Sequence, residues 1–385
     1  MGRDIIYLDN SAGSWPKPRR VAKAMANAIS EFGANPGRGN YRLTRHTAAL
    51  VEAAREVTAD FFGMNDPQRV IFTAGATASL NMALLGTLEK GDVLLLTGME
   101  HNAVSRPAAA LADHRGVILR NLVADSKGGI DGKQVIRALK DRPRPRLMVV
   151  DHGSNVCGAV ADVAALAPAA RRARVPLLLD AAQTAGLLPV DMRRMSLAAC
   201  AIAGHKALYG PAGIGVLLLS PKLHPAPLIY GGTGSRSEER RQPESYPEHL
   251  EAGSVNVPGI AGFLAGLEFV REIGRERLLE KSLSLTKRLA EGLGNIRGIR
   301  LYLPEGGIAL PVLSVNVRGR DPATVAALLD RRYGICVRSG YHCAPAAHRA
   351  LGTLDAGTVR FSPGWFNTPA DIDAAISAMK EIAGE

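Results

Sequence analysis

The chain has 385 residues, 46% hydrophobic and 22% charged, with a formal net charge of +11. Those proportions exclude a disordered chain, and 41 Gly and 23 Pro without a period exclude a collagen-like one. No apolar stretch reaches the roughly 20 residues that a membrane-spanning helix needs. Met1 leads within a few residues into strand-like Ile5-Ile6-Tyr7-Leu8, with no secretory pattern. Cys157, Cys200, Cys336 and Cys343 are scattered without a C-x-x-C, so neither a disulfide framework nor a zinc knuckle is expected, and a reducing cytoplasm is.

The positive charge is carried mainly by arginine, 36 of 47 cations, and is dispersed. The stretch 236–241 includes Glu238 and Glu239, and only 5% of residues are aromatic, so stacking platforms for bases are scarce. A solvated surface is expected, with no nucleic-acid partner and no membrane association.

In chain order, helical patterns at 19–32 and 43–62 come first. Strands are then expected at 70–73, 93–97, 117–122, 147–151, 175–180, 199–203 and 213–219. Helices at 77–88, 103–114, 132–140 and 163–174 fall between them, the alternation of a mostly parallel α/β sheet. Several of these strands are apolar throughout, as strands covered on both faces should be. A Gly, Pro, Ser and Arg-rich connection at 230–247 follows, then one long helical stretch from 260 to about 295. Mixed strands and helices fill the remainder, with strands at 299–303, 312–317, 335–338 and 358–362 and helices at 323–332 and 370–382. The reading is a large α/β domain over 16–255 and a smaller α+β domain over 256–385, with 1–15 as an arm.

Chemistry in such folds sits where strands end and helices begin. In Thr73-Ala74-Gly75-Ala76-Thr77 a glycine turn opens a helix whose free N–H groups suit a phosphate. Asp180 ends an apolar strand, where it either caps the next helix or turns a carboxylate to a ligand. Lys206 follows a strand of small apolar residues and is surrounded by glycines. Desolvation disfavours an ammonium there and depresses its pKa, which suits Schiff-base chemistry. Together these suggest pyridoxal phosphate (PLP), with Gly75–Thr77 at the phosphate, Lys206 linked to the aldehyde and Asp180 on the ring nitrogen.

The motifs Tyr7-Leu8-Asp9-Asn10, Asn35-Pro36-Gly37-Arg38-Gly39, Glu100-His101-Asn102, Ser154-Asn155-Val156-Cys157-Gly158, Asp180-Ala181-Ala182-Gln183, Gly204-His205-Lys206, Glu251-Ala252-Gly253-Ser254, Arg338-Ser339-Gly340-Tyr341-His342-Cys343 and Val359-Arg360-Phe361-Ser362 occur in the order found in one family. The chain resembles the class V aminotransferase superfamily of fold-type I PLP enzymes, and within it the cysteine desulfurase and selenocysteine lyase group.

That resemblance implies a set of roles. Ala76 and Thr77 hold the phosphate, His101 stacks on the ring and moves protons, and Asn155 and Gln183 approach the phenolic oxygen. His205 is a phosphate ligand, and Ser254 reaches the phosphate of a neighbouring subunit, implying a homodimer with shared sites. Arg360, with Asn155 and Arg338, holds the substrate carboxylate, for which a guanidinium fork is well suited. Cys343 takes the sulfur of L-cysteine as a persulfide, leaving L-alanine, and passes it to an acceptor protein. Arg338 and His342 are the neighbours expected to favour its thiolate.

Bland readings stand beside these. His101 can be a helix-start residue, Asn155 a turn residue, and Gln183 and His205 ordinary loop polarity. Cys336, His342, Cys343 and His348 match no common zinc spacing, so no metal is expected. Ser11-Ala12-Gly13 and Cys157 depart from the family pattern near the expected substrate, and the 236–250 stretch is short. The alternative is therefore a selenocysteine lyase, another C–S lyase or a class V aminotransferase without an obligatory persulfide.

Overall fold

The computed structural model describes residues 5–37, 39–234 and 238–384. Arg38 of the Asn35 motif and Arg236, which heads the arginine-rich stretch, lie outside the described residues. The first part of the chain contains β1 (Ile6–Tyr7), α1 (Arg19–Ser30), α2 (Arg42–Phe61), β2 (Val70–Thr73), α3 (Ala76–Leu85), β3 (Val93–Leu96) and α4 (Asn102–Arg115). It continues through β4 (Ile118–Asn121), α5 (Gly132–Lys140), β5 (Pro145–Asp151), α6 (Val163–Ala173), β6 (Leu177–Asp180), β7 (Ala199–Ala203) and β8 (Gly215–Leu219).

Strands β2 to β8 form one sheet of seven in the order β2-β8-β7-β6-β5-β3-β4. Only β8 runs against the rest, pairing antiparallel with both β7 and β2. The mainly parallel α/β sheet expected from the alternating apolar runs is therefore present. All residues of β6, β7 and β8 are buried, because helices cover both faces and no polar side chain could be solvated there.

The second part comprises α7 (Val257–Ile273), α8 (Arg275–Gly294), β9 (Ile299–Tyr302), β10 (Leu313–Val317), α9 (Pro322–Tyr333) and β11 (Ile335–Cys336). It ends with β12 (Arg338–Gly340), α10 (Pro345–Ala350), β13 (Thr358–Phe361) and α11 (Pro369–Gly384). Strands β9, β10, β13 and β12 make an antiparallel sheet of four. The N-terminal arm joins this part: β1 pairs in parallel with β11, and Leu8 is buried in its apolar core.

One expectation is corrected here. The stretch 260–295 is two helices, because Gly274 takes φ +88°, a backbone region that L side chains avoid, and turns the chain between α7 and α8. Val257, Ile260, Phe263 and Leu267 of α7 pack into the core under the large sheet, so α7 belongs to that body. The change of core occurs along α8, where Leu278 packs with the first core and Leu285, Leu289 and Leu293 with the second.

Gly274→Ala should destabilise the protein by about 1 kcal/mol or more, since alanine is strained at this φ. The urea midpoint should fall while the slope stays unchanged, and an unchanged midpoint would refute the account.

Candidate active site

A cavity of about 510 Å³ lies at the carboxyl ends of β2, β3, β5, β6 and β7. Gly75 makes one wall, with φ +151°, and β8 approaches it so closely that a Cβ on Gly215 would lie 2.5 Å from the Gly75 Cα. Helix α3 starts at Ala76, and no described side chain caps it. Ala76, Thr77 and Ala78 line the cavity, so the uncapped first turn faces the space a ligand would fill.

Lys206 follows β7, whose Ala-Cys-Ala-Ile-Ala sequence leaves it no polar neighbour on the strand. Burial pushes its ammonium down to about 8, opposed by the Asp180 carboxylate. Asp180 is also buried, and burial raises its carboxyl despite a hydrogen bond from the Ala182 N–H at 3.0 Å and the nearby Lys206. It serves as turn cap and cavity wall together. His101 caps α4, its Nδ1 accepting from the Ala103 N–H at 3.0 Å, which leaves the ring proton on Nε2. Burial, then Lys206, lowers this histidine to about 4, so it is neutral at physiological pH.

The opposite wall comes from the smaller sheet. Every residue of β13 is buried, including Arg360 at 1% exposure, and Arg360 lies in the cavity wall. Arg360 Nη2 pairs with Asp9 Oδ1 at 2.5 Å, and Nη1 donates to the Asn155 carbonyl at 3.1 Å. Its Nε is buried without a partner among the described residues. Burial works against this guanidinium's charge, and Asp9 offsets that. Asn155 Nδ2 in turn donates to the His342 carbonyl at 2.6 Å.

Cys343 is exposed, and its carbonyl accepts the Asn102 N–H at 2.7 Å. Both His342 and Cys343 have positive φ, +48° and +58°, so two consecutive residues hold a strained left-handed turn. Arg338 Nη2 lies 3.9 Å from the Cys343 Sγ. His342 does not assist as a cation. It is buried against Thr358 Oγ1 at 3.0 Å, and burial with Arg360 nearby lowers it to about 2.

Ala76, Thr77, His101, Asn155, Asp180, Gln183, His205, Lys206, Arg338 and Arg360 all line the one cavity. Cys343 is held beside it through Arg338 and Asn102. Gln183 Nε2 donates to the Ser11 carbonyl at 3.0 Å. Ser254 is not among these residues: it lies in a separate cavity of about 450 Å³, bonded to Asn35 Nδ2 at 3.3 Å. Cys157 packs in an apolar cluster with Met99, Val156 and Tyr302, away from the cavity, whereas Ser11 and Ala12 line it. Among the described residues no group of three His, Cys, Asp or Glu could hold a metal ion, and His348 bonds Thr353 at 2.7 Å. Three residues escaped the sequence reading: Asp9, Asp151, which lines the cavity, and Lys17, whose Nζ donates to the His205 carbonyl at 2.6 Å. For Asp151 a signal existed, since it ends an apolar strand as Asp180 does.

Fold and site together define an α/β enzyme with a half-buried lysine at the carboxyl edge of its sheet. The family model described as aminotransferase class-V matches residues 6–375. A protein named a probable cysteine desulfurase from Methanothermobacter thermautotrophicus is 34% identical over 388 residues, covering 99% of this chain and 96% of that one. A cysteine desulfurase from Pectobacterium atrosepticum is 32% identical, covering 99% and 94%. Among solved structures, the apo cysteine desulfurase of Thermococcus onnurineus superposes with a TM-score of 0.90 at 32% identity, covering 99% and 95%. An Escherichia coli cysteine desulfurase in an S-sulfonic acid form gives 0.87 at 28%, covering 98% and 94%. The chain belongs to the class V aminotransferase family, and within it to the cysteine desulfurases.

Asp9→Ala should leave the buried Arg360 charge without its carboxylate and destabilise the protein by roughly 3 kcal/mol. Chemical denaturation would read this as a lower midpoint, and stability equal to wild type would show that the ion pair is not needed.

Proposed function

We propose that this chain is a PLP-dependent cysteine desulfurase that converts L-cysteine to L-alanine and takes the sulfur onto Cys343 as a persulfide. The observation that carries the reading is the single cavity in which Lys206, Asp180 and the uncapped α3 turn converge, with Cys343 held at its side by Arg338. This donor set suits PLP. The free N–H groups at Ala76 and Thr77 would hold its phosphate, and His205 lines the same cavity. Asp180 offers a carboxylate to a ring nitrogen, and Lys206 offers an amine that burial keeps near neutrality.

When bound, PLP would supply a carbonyl that condenses with amino groups and a ring that takes up the electron pair of a departing Cα proton. The chain's own residues supply the rest. Lys206 would hold the cofactor through its amine, and as a free base that amine is placed to accept the Cα proton. Neutral His101, with its proton on Nε2, offers a hydrogen bond to the cavity, and Gln183 and Asn155, which line it, would stand on the side of the cofactor's phenolic oxygen. Asp9 fixes the Arg360 guanidinium in the cavity wall, where it offers positive charge to a substrate carboxylate. The Cys343 thiolate, with Arg338 as its cationic neighbour, attacks the substrate sulfur. The C–S bond breaks as the S–S bond forms, and the substrate carbon gains a proton to become the alanine methyl.

The relatives named cysteine desulfurase weigh against the selenocysteine lyase alternative. A homodimer is part of the same proposal. Two observations support it: Ser254 opens on a cavity separate from its own chain's lysine site, and Leu228, Ile229 and Tyr230 present apolar surface. No described helix is long and apolar enough to cross a membrane. A cytoplasmic setting, where thiols stay reduced, and transfer of the persulfide sulfur to an acceptor protein complete the reading.

Two measurements test it. The rate at which the cofactor-free chain captures PLP into its visible-absorbing form should rise with pH through about 8, because the neutral Lys206 amine is the nucleophile and burial has moved it down from 10.5. A rise delayed until the ordinary lysine range would overturn the buried-amine account. Cys343→Ala should keep the yellow colour and lose sulfide release from L-cysteine in the presence of a reductant. Wild-type release from that variant would remove the persulfide step.

A further inference from the structure

The cavity has two buried carboxyls at its head, and the mechanism above uses only one. Asp151 closes β5 as Asp180 closes β6, and the two are register partners on adjacent parallel strands. Register partners in a parallel ladder present their side chains to the same face, and both aspartates line the cavity with Lys206. Asp151 is 8% exposed and Asp180 4%. Two like charges in one dry site cannot both ionise cheaply.

We propose that Asp151 is a second carboxyl of the cofactor site that holds a proton, so that Asp180 alone presents negative charge to the cofactor's ring nitrogen. The proposal rests on the cofactor reading above and deepens it. Asp151 is a positioning residue: it acts through Asp180 and Lys206. Charged groups face it from three elements. Asp180 comes from the end of β6, Glu100 from the turn after β3, and Lys206 from the segment after β7. Burial, Asp180 and Glu100 all favour the protonated form, against Lys206 and the Gly153 N–H, and the balance lies well above the ordinary carboxyl range. The adjacent histidine does not compete for the proton, because His152 is turned to Thr184 Oγ1 at 2.7 Å and burial keeps it neutral.

The consequence reaches Lys206. An ionised Asp151 would add a second anion beside that amine and hold its proton more tightly. A protonated Asp151 keeps the base free to accept a proton while Asp180 retains its pairing.

The test compares wild type with Asp151→Asn, which keeps the shape and cannot ionise. The buried protonated-carboxyl C=O band in the infrared spectrum should be present at neutral pH in wild type and in Glu100→Gln, and lost in Asp151→Asn. In the PLP-loaded full chain, the visible spectra of wild type and Asp151→Asn should coincide at neutral pH. On raising the pH, wild type should show a second transition that the variant lacks. In Asp180→Asn, with the repulsion removed, the Asp151 band should disappear at lower pH than in wild type, which decides the matter even if Asp151→Asn fails to fold. Persistence of the band in Asp151→Asn, a neutral-pH spectral shift in that variant, or a band unmoved by Asp180→Asn would each overturn the proposal. Wild type that never acquires a visible band with PLP would sink the cofactor reading instead, while the infrared comparison on the cofactor-free chain still decides the Asp151 proton.

Discussion

An ammonium group withdrawn even partly from water is costly to fold, and Lys206 sits half-buried where the seven-stranded sheet ends. Much of the architecture serves that position. Strand β7 before it is Ala-Cys-Ala-Ile-Ala, wholly buried between β6 and β8, and it delivers the lysine to the cavity with part of its surface withdrawn from water. Asp180 stands on the neighbouring strand and returns part of the lost solvation, yet burial prevails over it and the amine stays near neutrality. The parallel strands bring several strand ends to one edge, so a single geometric fact gathers the turn after β2, His101, Asp151 and Asp180 around the lysine.

Arg360 poses the same problem on the other wall, and the chain solves it with a distant segment. Asp9 comes from the N-terminal arm, which is anchored by the β1–β11 pairing, the Asp9–Ser362 bridge and the burial of Leu8. Without that arm the guanidinium would keep one neutral partner, the Asn155 carbonyl. Asn155 then joins the two bodies. It follows β5 of the large sheet, accepts from Arg360 on β13, and donates to the His342 carbonyl at the head of the cysteine turn. Its position is thus required by both sheets at once.

The sequence carried the sheet and most of the cavity, because apolar strands and strand-end polar residues are local signals. The seven strand positions and the Gly75, Asp180 and Lys206 junctions are readable within a few residues of each site. What escaped it depends on long-range neighbours. The partner of Arg360 lies 351 residues away in sequence. His342 reads as a cation beside Cys343 until Thr358 and Arg360 close around it, and burial then leaves it neutral. The helical pattern through 260–295 hides Gly274, because an isolated glycine is tolerated in a helix and only its positive φ reveals the turn. Asp151 gave the same local signal as Asp180 and went unread because one carboxylate already satisfied the expected chemistry.

The two halves of the proposed reaction need opposite surroundings, and the fold separates them by only a short distance along the chain. Proton transfer at Lys206 and His101 requires a dry site, since water would restore the ammonium and the imidazolium. Sulfur that must leave for an acceptor requires a residue in contact with solvent, and Cys343 is exposed while the adjacent His342 is 3% exposed. Two consecutive left-handed residues make that abrupt change possible, turning one side chain inward and the next outward. The turn is strained, so it must be held from outside itself. The Asn102 N–H on the Cys343 carbonyl and the Asn155 amide on the His342 carbonyl hold it, both from the large-sheet body. The cysteine's placement therefore depends on the same body that buries the lysine, which keeps the sulfur acceptor and the base in register.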